Sequence, residues 1–249
     1  MRCSLLLHSL AIGLTLPAQS LFVYNGASYK LLFPVAPGSF AKISGNFAGV
    51  SPELAAALPL PRQLGGVQVL VNNAAAPLYA VRSDEITFQV PRNTPAQRVP
   101  LRVARGGVDL ANDFLNVIES APGIFYVLGD RLAQGGILNQ SGAYAVREAP
   151  ARRGEVIQIF GTGEGPLDIL VEDGAAPAAG AIARSRNAAE CFVSVDPAMV
   201  QFSGASPQFP GLWQVNLVVP DKPYIRGQVP IFCNVKGITT NVVSFWVAE

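Results

Sequence analysis

Apolar residues fall at every second position in short runs along this chain. Val67, Val69 and Val71 share one face of Val67-Gln-Val-Leu-Val71, and Ile86, Phe88 and Val90 share one face of Ile86-Thr-Phe-Gln-Val-Pro91. Thr87 and Gln89 take the opposite face. Leu101 with Val103, and Leu115 with Val117, continue the pattern. A period of two puts alternate side chains on opposite faces of a half-buried strand. Turn signals separate the runs: Gly65-Gly66, Asn72-Asn73 and Arg105-Gly106-Gly107. Pro91 ends its strand because it cannot donate to a ladder. Short strands punctuated this way predict antiparallel β-sandwiches. No window sustains a period of 3.6. The best helical candidate is Ser51-Pro-Glu-Leu-Ala-Ala-Ala-Leu58, with a capping Ser and Pro at the first helical position; a long loop is the alternative.

The pattern occurs twice. Gly38-Ser-Phe-Ala-Lys-Ile-Ser-Gly45 matches Gly154-Glu-Val-Ile-Gln-Ile-Phe-Gly161. Ile86-Thr-Phe-Gln-Val-Pro91 matches Val215-Asn-Leu-Val-Val-Pro220, and Val99-Pro-Leu-Arg-Val103 matches Val229-Pro-Ile-Phe-Cys233. Gly107 pairs with Gly237, and Val117 with Val247. Order is kept while spacing grows in loops, as in a duplicated domain. The first copy is placed over residues 21–120 and the second over 121–249. The link, Glu119-Ser-Ala-Pro-Gly-Ile124, is short, so the copies should sit close, with Ile124 and Phe125 packed at the junction. The second copy opens with an added hairpin around Gln140-Ser141-Gly142.

Residues 1–20 change the compartment. Arg2 precedes an apolar run from Leu5 to Leu16, and Ala18-Gln19-Ser20 offers small residues for cleavage. These are the three parts of a secretory signal peptide. As a membrane helix, that run would reach only about 18 Å of a roughly 30 Å core. Cleavage before Leu21 removes His8, the single His of the chain, together with Arg2 and Cys3. The 18 Lys and Arg include Arg2, so the mature chain balances its 17 Asp and Glu. A neutral chain has no global field for nucleic acid or anionic lipid. The clusters Arg98/Arg102/Arg105 and Arg147/Arg152/Arg153 read as solvated surface. The mature protein is expected to be secreted, periplasmic or cell-surface, without membrane insertion. Apolar residues make up 50% of the chain and charged residues only 14%, enough for large cores.

Several landmarks in order resemble a known family. They are Ala36-Pro-Gly-Ser39, Leu64-Gly-Gly-Val67, Ile86-Thr-Phe-Gln-Val-Pro91, Ala121-Pro-Gly-Ile-Phe125, Gly161-Thr-Gly-Glu-Gly-Pro166 and Leu212-Trp-Gln-Val-Asn-Leu-Val-Val-Pro220. The chain is similar to the Solibacter-type C-terminal domain family of secreted acidobacterial proteins. The resemblance implies tandem IPT/TIG-like immunoglobulin-fold modules, exported and of uncharacterised biochemical role. It implies no catalytic residues. The family's modules are commonly appended to other extracellular domains, whereas here the pair directly follows the signal peptide. The two mature cysteines lie outside the family pattern.

The chemistry-bearing groups are few. Gly161-Thr-Gly-Glu-Gly-Pro166 lacks the Lys and helix of a phosphate loop and reads as a turn. Glu164, Asp168, Glu172 and Asp173 crowd one region, but their spacing is not that of a calcium loop. Without His, triads and His-containing zinc sites are excluded in the mature chain, and two cysteines cannot make a four-Cys site. Adjacent carboxylates, Asp84-Glu85 and Glu172-Asp173, point to opposite faces of a strand and suit glycoside hydrolysis poorly. No enzyme, metal or cofactor is expected.

Two positions stand out. Cys191 and Cys233 each lie on the apolar face of a strand, and in an immunoglobulin-like sandwich these strands neighbour each other, so a disulfide is expected in an oxidising compartment. The alternative is a pair of buried thiols, matching Val67 and Val103 of the first copy. In Val243-Ser-Phe-Trp-Val247 the alternation turns Ser244 and Trp246 outward, and the first copy has Asn116 at the Trp246 position. Trp246 is the candidate contact surface, covered by the chain's own loops or by a partner. The whole reads as a non-enzymatic structural or interaction module, whose partner is an unknown envelope protein or polysaccharide. A carbohydrate-binding module and a two-domain immunoglobulin-like periplasmic chaperone are the alternatives. Exposed aromatics in a row would favour the first, and a basic residue in the interdomain cleft the second.

Protein recovered after export should begin at Leu21 on N-terminal sequencing. Retention of Met1 in exported protein would overturn the signal-peptide assignment.

Overall fold

The computed structural model describes residues 21–31, 33–127 and 132–249; the signal peptide expected over residues 1–20 lies outside them. Among the described residues there is no helix, and twenty strands carry the fold. The first half holds β1 (Phe22–Asn25), β2 (Phe40–Ser44), β3 (Glu53–Leu54), β4 (Val67–Val71), β5 (Ala74–Ala75), β6 (Leu78–Val81), β7 (Glu85–Gln89), β8 (Arg98–Arg105) and β9 (Val108–Asn116). One sheet runs β1-β2-β7-β6-β3 and the other β5-β4-β8-β9. Their facing sides bury one apolar cluster, from Leu21 to Val117.

The second half holds β10 (Gly123–Ile124), β11 (Tyr126–Val127), β12 (Gln134–Gly135), β13 (Ile137–Leu138), β14 (Val156–Thr162), β15 (Ala189–Val193), β16 (Asp196–Ala205), β17 (Trp213–Val218), β18 (Gly227–Val235), β19 (Ile238–Thr239) and β20 (Val243–Val247). Strand β16 pairs with β15 at its start and with β17 beyond, with an irregularity between Val200 and Phe202. It thereby joins two sheets into one continuous path, as bulged corner strands do. A second cluster, from Ile124 to Val247 with Trp213 at its centre, fills this sandwich. The chain is thus two tandem immunoglobulin-like β-sandwiches, each with its own core.

The repeat holds to the level of strand register. Ala41 faces Phe88 and Ile43 faces Ile86; their counterparts Ile157 and Ile159 face Leu217 and Val215. Val99 faces Leu115 as Val229 faces Phe245. The turns repeat too. Asn72-Asn73, Gly106-Gly107 and Lys236-Gly237 are two-residue connections with positive φ at both positions, the geometry that matches the twist of a hairpin.

Three expectations need correction. Residues 51–58 are not helical but follow the loop alternative around a two-residue strand: Glu53–Leu54 pairs with β6, and Ala55 N donates to Tyr79 O. An isolated helix that short has too little cooperativity to resist an available sheet edge. Ser244 is fully buried, not outward. Its hydroxyl donates to Ala133 O and accepts from Gln228 Nε2, because the chain after residue 132 returns along the free edge of β20. Finally, the first-copy partner of Val103 is Val69, not Val67. Both share one face, so the alternation alone could not separate them.

That register explains the disulfide. Cys191 lies directly opposite Cys233 on β15 and β18, with Cα atoms 4.0 Å apart, and the two sulfurs are bonded. The first sandwich places Val69 opposite Val103 at the same point, both fully buried. Exported protein should therefore show no free thiol after denaturation without reductant. Replacing Cys191 and Cys233 together by Val should keep the fold. Stability should fall by up to about 4 kcal/mol, the chain-entropy value for a cross-link of this span. Denaturant melts that coincide with wild type would remove the disulfide from any role in stability.

Candidate functional site

The two sandwiches meet through buried polar side chains. Gln89 is outward on β7 as its alternation requires, yet it is fully buried. Its Nε2 donates to Gly38 O at 3.0 Å, and its Oε1 accepts from Gly174 N of the second sandwich. Leu60 N donates to Gly174 O, and Asp173 Oδ1 accepts from Arg92 N. Thr162 Oγ1 accepts from Phe40 N and donates to Gly211 O, both at 2.8 Å. Asn25 Nδ2 donates to Ala121 O in the link.

Glycine permits two of these approaches. Gly211 has φ +68, and a Cβ there would press on the Phe40 ring, on Gly38 O and on Gln89. Gly163, at φ +89, lies so close to the Ala121 carbonyl that any side chain would collide with it. The glycine-rich segment Gly161–Pro166 is thus the surface that seats the link.

Glu164 sits within this seam, 1% exposed, with one carboxylate oxygen 3.9 Å from Arg92 Nη1 and no hydrogen bond. Burial pushes its pKa above the ordinary glutamate value; the nearby Arg92 charge and the backbone amides of Gly163 and Glu164 oppose this without cancelling it. The acidic residues grouped along the sequence take different environments, although Glu164 and Asp173 both meet Arg92. Glu164 is buried, Asp168 accepts from Arg184 N, Asp173 accepts from Arg92 N, and Glu172 faces solvent. Asp84 and Glu85 likewise take separate partners, Arg82 and Lys42.

Above the seam runs a two-lobed groove. The first lobe, about 610 Å³, lies on the outward face of β2, β6 and β7, where Phe40, Lys42, Tyr79 and Thr87 project. Ala55–Leu58 forms one wall, while Phe125, Phe209 and Leu212 of the second sandwich form another. Phe40 and Tyr79 meet edge to face, 5.7 Å between centroids. Lys42 donates to Glu85 Oε1 at 2.9 Å and to Tyr29 OH at 3.2 Å. Burial works against its charge, but these bonds outweigh burial and raise its pKa above the ordinary lysine value.

The second lobe, about 550 Å³, lies on the outward face of β14 and β17. Gln158, Phe160 and Gln214 floor it, with Tyr144 and the loop carrying Gln208 and Phe209 above. Phe125, Phe209 and Leu212 line both lobes. Both volumes fall in the range of small-ligand sites. Among the described residues lining the groove, Lys42 is the single charged side chain.

The positions singled out in the sequence lie elsewhere. Cys191 and Cys233 are in the second core. Trp246 is half-buried on the outward face of the other sheet, opposite Gln228, with the Arg147 guanidinium 5.4 Å from its ring centroid. Apart from Phe125, expected at the junction and found lining both lobes, the groove residues escaped sequence reasoning. Their one local signal was an aromatic at an outward strand position, Phe40 or Phe160, which is the argument that selected Trp246.

No family model and no curated protein matches the chain. Among solved structures it is similar to SGBP-B from a complex xyloglucan utilization locus in Bacteroides uniformis, at 13% identity and a TM-score of 0.31, covering 92% of this chain and 49% of that one. It is also similar to domains 5-6 of the S-layer protein SbsC, at 14% identity and a TM-score of 0.29, covering 93% of this chain and 98% of that one. A third is the BSP domain of a biofilm associated protein, at 10% identity and a TM-score of 0.28, covering 86% and 28%. The chain spans about half the length of the first. Likeness at this level carries no argument about function.

The seam makes stability depend on pH. Glu164 keeps its proton to higher pH when folded than when unfolded. Its favourable contribution is complete below the ordinary value of 4.5 and is lost as pH rises through the raised folded value. Glu164→Gln should abolish that decline. Denaturant melts of both proteins across this window will show it as a wild-type-minus-variant difference that falls with pH. Parallel curves would refute the assignment.

Proposed function

We propose that this chain is a non-catalytic, exported binding module that engages envelope material in the two-lobed groove beside the junction of its sandwiches. The carrying observation is the groove itself: two adjoining lobes of ligand size, lined by aromatic rings and neutral amides, on a junction held by buried hydrogen bonds. The signal peptide and the resemblance to secreted acidobacterial modules support the compartment. The chemistry available in the groove supports binding over catalysis. Its one charged group, Lys42, is held by Glu85, and no carboxylate lines either lobe. The chaperone reading is less favoured. The cleft lysine is already paired, and the sheet edge beside the first lobe, β3, is two residues long, too short to template a client strand.

Purified mature protein should sediment saturably with an envelope fraction of the source cells. Tyr79→Ser with Phe209→Ser should weaken this by about tenfold or more without changing the melting temperature, whereas Trp246→Asn should bind as wild type. Absence of saturable binding, unchanged binding by the groove variant, or release of soluble fragments from the envelope by wild type would each overturn the reading.

A further inference from the structure

We infer that the groove takes a neutral oligosaccharide, an extended chain of sugar units lying across both lobes. This rests on the binding reading above and adds the class of ligand.

The lobes are equivalent faces of the repeated module. By register, Lys42 corresponds to Gln158, Glu85 to Gln214 and Thr87 to Asn216. The first copy carries an ion pair there and the second carries amides, and both arrangements are neutral. A ligand bearing carboxylate or sulfate groups would find no uncommitted countercharge. Desolvating such a charge without a partner is costly.

The polar groups match hydroxyls. Each glutamine amide donates and accepts, as each sugar hydroxyl does. Gln214 spends one N–H on Asn216 Oδ1, at 2.9 Å. Among the described residues, Gln158 and Gln208 have no hydrogen-bond partner for their side chains, so their amides are available to a ligand.

The apolar groups match the C–H face of a pyranose ring. Elsewhere on the surface, several aromatic faces are already occupied: Arg98 lies over Phe114, Arg147 over Trp246 and Arg184 over Phe202, and Phe192 stacks on Phe232, while the exposed Phe22 and Tyr224 line neither lobe. In the groove, Lys42 covers the Tyr29 ring and Tyr79 meets Phe40 edge to face, but Tyr79, Phe209 and Tyr144 remain 48%, 57% and 63% exposed. They are distributed over the first lobe, the shared wall and the second lobe. Such amphipathic rings suit a ligand with an apolar face and a polar rim.

A polypeptide fits less well. The groove floor is made of sheet faces, not edges, so its backbone groups are already engaged in ladders and cannot add a strand. An apolar side chain would fill the first lobe but leave the amides of the second desolvated and unpaired.

The test is calorimetric titration of the mature chain with cellohexaose, xylohexaose and mannohexaose. An oligogalacturonate and an unstructured apolar peptide serve as comparators. At least one neutral hexaose should bind, more tightly than its disaccharide. Tyr144→Ala, Phe209→Ala and the Gln158→Ala/Gln214→Ala pair should each lower affinity by about tenfold or more with melting temperature unchanged. Trp246→Asn should not. Preference for the oligogalacturonate, binding of the peptide alone, silence toward all three hexaoses, or unaffected groove variants would overturn the assignment. Envelope sedimentation that depends on Tyr79 and Phe209 but resists competition by the hexaoses would overturn the ligand class and leave the groove standing. Sedimentation indifferent to those residues would remove both.

Discussion

The pose of one sandwich against the other rests on polar side chains that are buried between them. Gln89, Thr162 and Asn25 are all fully buried, and each bonds to a backbone group across the junction or on the link. Full separation would return these groups to water, so their net contribution to affinity between the halves is modest. A small slide is different. It would break the bonds while leaving the groups dry, at the full desolvation penalty for each. The seam therefore selects one arrangement more than it strengthens it. The short link and the fully buried Ala121 and Ile124 restrict the alternatives further.

The groove follows from that arrangement. The second lobe is lined by the second sandwich alone, but the first is closed only by both sandwiches together. The first lobe needs Phe125, Phe209 and Leu212 from the second sandwich as a wall. Phe209 and Leu212 flank Gly211, which Thr162 pins against Phe40, and Phe125 is held by backbone bonds to Phe160 and Gly136. Fixed walls lower the ordering cost of binding, since a ligand need not assemble its own site. Displacing Gly211 would disturb both lobes together.

Much of the fold was legible because the relevant interactions are local or periodic. The alternation at Ile86, Phe88 and Val90 names core residues, and Asn72-Asn73 names a turn, without knowledge of any distant contact. The repeat supplied pairings as well, since Val99 with Leu115 predicts Val229 with Phe245. Failures came where a third body intervenes. Gln89 was rightly turned away from its own core, but the second sandwich covers it. Ser244 was turned toward water, but the returning chain covers it. Choosing Val67 over Val69 was a slip of two, the one error that a period of two conceals. The groove was out of reach because its residues are far apart along the chain: Tyr144 and Phe209 meet through the fold of the second sandwich, and Tyr79 joins Phe209 only across the seam.

Duplication gives the two kinds of position different freedom. Core-facing pairs keep their character: Ala41 and Ile157, Ile43 and Ile159, Ile86 and Val215, Phe88 and Leu217 are all apolar and all buried. Changing one to a polar residue would bury an unpaired group in either sandwich. The outward positions between them diverge in chemistry, Lys42 against Gln158, Ser44 against Phe160, Glu85 against Gln214 and Gln89 against Val218. Nothing in the shared core constrains them, because alternation turns them to the other side of the sheet. Gln89 became part of the seam, while Lys42 and Gln158 came to line adjoining lobes. Two copies turned toward a common junction wall the first face with residues of the second sandwich, beside the lobe that the second sandwich lines by itself, with no change to the core that either must fold around.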